Sequence, residues 1–78
     1  SKEDAEKLFN EIIDNSVSAL TFIASLPDGK SYGIEYHASV SLQALLDVYR
    51  LSSGHGMNEL AARASGELNR FYGEMPER

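Results

Sequence analysis

Residues 20–37 read LTFIASLPDGKSYGIEYH, Leu20 to His37, and the fold depends on how this stretch is taken. Two alternating runs flank Pro27-Asp28-Gly29. Proline presets φ at the first turn position, aspartate bonds its own backbone, and glycine accepts the left-handed conformation without steric cost. A three-residue loop of this kind is a type I turn closed by a glycine bulge. It pairs Leu26 with Lys30, then Ala24 with Tyr32, Phe22 with Ile34 and Leu20 with Tyr36, so that six apolar side chains share one face. The other face receives Ser25 with Ser31, Ile23 with Gly33 and Thr21 with Glu35. One more loop residue would set Phe22 against Glu35 and mix the faces, which a half-buried sheet resists. A β-hairpin is the expectation.

A helix competes for the same residues. The apolar stripe of the preceding segment continues through Val17, Leu20, Ile23 and Ala24. Read that way, one helix of about 25 residues runs to Pro27, and an all-α three-helix bundle follows. Three features favour the hairpin. Leu20–Ser25 is rich in strand formers, Asp14-Asn15-Ser16 is poor helix material, and so is the run around Gly33.

Outward from the hairpin, residues 2–15 form an amphipathic helix capped by Ser1. Glu3, Asp4 and Glu6 lie in its first turns, and Ala5, Leu8, Phe9, Ile12 and Ile13 form its stripe. Asp14-Asn15-Ser16 supplies a stop. On the other side, Leu42–Leu51 carries Leu42, Leu45, Leu46 and Tyr49 on one face and ends at Ser52-Ser53-Gly54, with Gly54 suited to the C-cap. His55-Gly56 is a joint, and Asn58 caps a last helix over 59–72 with Leu60, Ala61, Ala64, Leu68, Phe71 and Tyr72 as its stripe. The predicted fold is α+β, a single small domain over residues 1–78 ordered helix–hairpin–helix–helix.

Seventy-eight residues with 42 % apolar content and no cysteine make a modest core without disulfides. Two histidines and no thiol leave little for a structural zinc site, so neither metal nor cofactor is expected. Self-association is the remaining source of support, and a homodimer is expected. The net charge of −5 is spread along the chain and argues against nucleic-acid binding, which needs a basic footprint. No apolar run approaches a membrane span and no basic-then-apolar leader is present, so a cytoplasmic chain without a membrane partner is expected.

Candidate sites are few. Glu35 and His37 would share a strand face as an acid–base or metal pair, although a solvated strand explains them more simply. His55 between two glycines precedes a helix N-terminus, where anions can bind, but helix connectors use glycine for ordinary reasons. Arg63 and Arg70 with Asn58 and Asn69 could face a DNA groove, were Glu59, Glu67 and Glu74 not among them. Ala61, Ala62, Ala64, Ser65 and Gly66 are small enough for close helix approach, from within the chain or from a second subunit. Tyr32, Tyr36, Tyr49 and Tyr72 fall on apolar faces, as core or interface residues.

These features point to a non-catalytic protein-binding regulator: a small acidic adaptor, inhibitor or anti-activator that occupies a basic or mixed protein surface. The contact residues expected are Glu35 on the open hairpin face and Glu59, Arg63 and Glu67, an i, i+4 ladder on the last helix. The dimer would use Ile23, Gly33 and Gly66. The alternatives are a DNA-binding regulator using the last two helices and a small enzyme or ligand-binding subunit at a dimer groove.

Overall fold

Helix α1 (Lys2–Ala24) carries the chain straight through the segment expected to turn into a strand. The computed structural model describes residues 1–26 and 34–74; α1 is followed by α2 (Ile34–Gly54) and α3 (Asn58–Glu74). The α+β hairpin fold is therefore incorrect, and the chain is all-α. Leu20 to Ala24 and Ile34 to His37, the halves of the expected ladder, are both helical, and no strand occurs among the described residues. The turn at Pro27-Asp28-Gly29, with Lys30, Tyr32 and Gly33, lies outside the described residues.

The physical reason lies in the core. Ile13, Ser16 and Leu20 are the buried residues of α1, spaced three and four apart, so one helical face has to continue past Asp14-Asn15-Ser16. Ser16 is buried at 6 % exposure and contributes a small side chain to that face, while Asp14 points outward to Arg63. A two-stranded sheet standing alone is marginal, and strand propensity yields readily to tertiary packing. Burial of Leu20 beside Ile13 decides the outcome.

Ser1 caps α1 as expected, its hydroxyl accepting from the Asp4 N–H at 3.2 Å. α2 ends later than expected. Its stop is a Schellman motif: the Met57 N–H donates to the Ser52 carbonyl at 2.8 Å, the Gly56 N–H to that of Ser53 at 3.3 Å, and Gly56 takes φ +73°. Gly56, not Gly54, is the left-handed residue. The Ala61 N–H donates to the Met57 carbonyl at 3.0 Å, so Met57 takes the cap position and α3 begins at Asn58, one residue ahead of the expected start.

The core is one cluster of Ile13, Leu20, Leu45, Val48, Leu60, Ala64 and Phe71, with Phe9, Ile12, Val17, Ala38, Leu42, Met57 and Leu68 against it. Ser52 is fully buried and its hydroxyl donates to the Val48 carbonyl at 2.6 Å. The buried face of α2 is thus Leu45, Val48 and Ser52, whereas Tyr49 is exposed. Ala61 and Ala64 are buried and serve close packing within the chain, whereas Ala62 and Gly66 are exposed. The molecule measures 42 × 21 × 16 Å, a short bundle drawn out along its helices. No helix among the described residues is long and apolar enough to cross a membrane.

Candidate functional site

α1 carries two apolar seams. The core seam is Phe9, Ile13, Ser16 and Leu20. The other is Ala5, Leu8, Ile12, Asn15, Ala19, Phe22 and Leu26, spaced alternately three and four, with Leu26 just beyond the helix end. Such spacing is the heptad signature of a helix that packs lengthwise against another. Offset by one residue, the two seams lie about 100° apart around the helix. α2 and α3 cover the first. The second is only partly covered: Leu8, Asn15 and Phe22 are exposed, while Ala5, Ile12, Ala19 and Leu26 are half-buried, Ile12 against the core.

α2 extends this open face with Tyr36, Val40 and Leu51, which recur at four and eleven residues. Leu8 is 54 % exposed, Phe22 65 %, Tyr36 68 %, Val40 48 % and Leu51 49 %; these are five of the seven large apolar side chains exposed among the described residues. A groove of about 260 Å³ opens at one end of the face, lined by Ala19, Phe22, Ile23, Leu26, His37, Val40 and Ser41. Scattered exposed apolar residues are ordinary, but a contiguous patch marks an interaction site.

The rim is polar. Asp4 and Glu11 flank the seam along α1, and the same row continues as Ser18 and Ser25. On α2 the rim is Gln43, whose amide donates to Asp47 Oδ1 at 3.0 Å, together with Arg50. Away from this face Arg63 clamps α3 to α1, its guanidinium donating to Asn10 Oδ1 at 2.7 Å and to Asp14 Oδ1 at 2.5 Å.

The expected contact residues are not gathered in one place. Glu35 lies exposed in the first turn of α2 and Glu59 exposed in the first turn of α3. The ladder through Arg63 does not form, because Arg63 turns to α1 and Glu67 accepts from Arg70 Nε at 2.9 Å. The Arg70 guanidinium also sits 4.2 Å over the Phe71 ring, so both arginines of the would-be DNA helix are engaged within the chain. Of the expected dimer residues, Ile23 is half-buried in the groove and Gly33 lies outside the described residues. Gly66 is exposed, and a Cβ there would meet nothing within 4 Å.

Glu35 and His37 cannot act as a pair, because two residues along a helix point about 200° apart. His37 is instead edge-on to Tyr36, ring centroids 5.7 Å apart, at the lip of the groove. His55 is exposed in the α2–α3 turn. Among the described residues no group of three or more histidines, cysteines or carboxylates could hold a metal ion. Tyr36, Tyr49 and Tyr72 are all exposed, not core. Placing Phe22 and Leu26 on a strand hides the seam in the sequence; the unbroken three-four spacing from Ala5 is its visible signal.

Comparison with known proteins yields no matching family model, no matching curated protein and no matching solved structure.

Proposed function

We propose that this chain is a non-catalytic protein-binding regulator that acts by docking the open α1–α2 face on protein. One observation carries the proposal: the large exposed apolar side chains are concentrated on a single heptad-patterned face. Burying a Leu or Phe side chain contributes roughly 1.5–3 kcal/mol, so Leu8, Phe22 and Val40 supply a driving force that no polar rim could. Asp4, Glu11 and Asp47 bias the rim toward basic or mixed surfaces, and the exposed Glu35 and Glu59 add to long-range steering. A cytoplasmic setting accompanies this proposal, in keeping with a cysteine-free acidic chain.

Site-specific photocrosslinking tests it in the cells the protein comes from. A benzophenone amino acid at Phe22 is expected to yield protein adducts, and the same probe at Asn69, exposed on α3, is not. No adduct from position 22, or equal adducts from both, would overturn the proposal.

A further inference from the structure

We infer that the occupant of the open face is a second copy of this chain, laid antiparallel about a two-fold axis level with Val17. This rests on the proposal that the face is buried against protein, and names the partner. The seam has one polar member, Asn15, between Leu8 and Ile12 on one side and Ala19, Phe22 and Leu26 on the other. Antiparallel alignment centred level with Val17 sets Leu8 against Leu26 of the second copy, Ile12 against its Phe22, and Asn15 against its Ala19. Every large apolar member then meets another, and the asparagine faces the smallest. Sliding by one heptad would set Ile12 against Asn15 and leave Leu26 with nothing to pack on. A single polar seam residue is a known device for fixing register.

Charge selects the same orientation. Along the flanking row, Asp4 and Glu11 occupy one half, and Ser18 and Ser25 the other. The same alignment leaves Glu11 nearest Ser25 of the second copy and Ser18 nearest its own counterpart along this row, each pair two residues out of level, so no acid meets an acid. A parallel pairing would bring both acidic ends together. Area points to the same occupant. Two helices, each roughly 30 Å long and about 10 Å across, offer about 600 Å² per copy, so a dimer buries on the order of 1,200 Å², the lower bound for a stable interface. The product is a four-helix layer of α1, α2 and their copies, with α3 outside on each. Burying this face adds to the core that α1, α2 and α3 already form.

The purified protein provides the test. Sedimentation at high micromolar concentration is expected to give twice the chain mass, and Phe22→Lys the single mass with its helical spectrum and cooperative melt retained, since Phe22 is 65 % exposed. The chain has no cysteine, so Ser18→Cys introduces a unique thiol. A short bismaleimide should link Ser18→Cys chains into dimers much faster than it links Asn69→Cys chains. A monomeric wild type, or equal crosslinking of the two variants, would overturn the second copy as occupant. If the protein is monomeric yet the probe at Phe22 still captures a different protein, the docking face stands and only its occupant changes; if neither self nor foreign adduct forms, both fall.

Discussion

Gly56 and Gly66 sit ten residues apart, and a methyl group should act in opposite directions at the two. Gly56 closes the Schellman motif at φ +73°, where a Cβ strains against the backbone although nothing else lies within 4 Å. Gly56→Ala is expected to destabilise by about 1–2 kcal/mol. Gly66 lies in the interior of α3 with open space where its Cβ would be. Gly66→Ala should therefore stabilise the chain by about 1 kcal/mol, the helix-propensity difference. Urea midpoints moving apart in these two directions would confirm both assignments. From sequence alone Gly54 and Gly56 both suit the left-handed site. Which one carries the left-handed turn depends on where α2 stops, and a buried Ser52 lets it run on past the expected Leu51.

At the scale of elements, α1 and α3 were legible as amphipathic stripes, and so was the Ser1 cap. The segment from Leu20 to Ala24 was not, because Thr21, Phe22 and Ile23 are good strand formers and also fit a helix whose other face is packed. Period decides such cases. Alternation holds for only a few residues here, and Ile23 already breaks it, whereas the helical spacing runs unbroken from Phe9 through Ile13 and Ser16 to Leu20. Thr21 discriminates cleanly, being exposed and away from both seams. In a helix, Thr21→Ala should stabilise by up to about 0.7 kcal/mol; in a strand it should destabilise. Thermal melts of the variant beside the parent give the sign directly.

For the whole molecule, one cluster holds three helices together, so its members should respond as a unit. Phe71→Ala is expected to cost about 3–5 kcal/mol and Leu45→Ala about 2–5 kcal/mol, with unfolding still a single transition in each. Ala64 has no exposed surface and brings α3 close to its neighbours. Ala64→Leu should therefore destabilise by about 1–3 kcal/mol through overpacking, even though it adds apolar volume. The open face emerged only at this scale. Its residues are ordinary hydrophobes in the sequence; what distinguishes them is that α3 packs on the other side of the α1–α2 pair, which no local pattern records.

The clamp from Arg63 to Asn10 and Asp14 has a kinetic consequence. Each helix packs mainly on its neighbour in sequence, the low-contact-order arrangement of proteins that fold in microseconds to milliseconds. The clamp is different, joining positions 53 and 49 residues apart. Contacts so distant along the chain are expected to form late, after α1 has met α2 and α2 has met α3. Arg63→Ala should leave the refolding limb of a chevron plot unmoved and raise the unfolding limb alone. The bridge is largely solvent-exposed, so the displacement should be small, equivalent to no more than about 1 kcal/mol. Arg63 then acts as a latch on the finished bundle: it sets how long α3 stays docked, not how fast the chain folds.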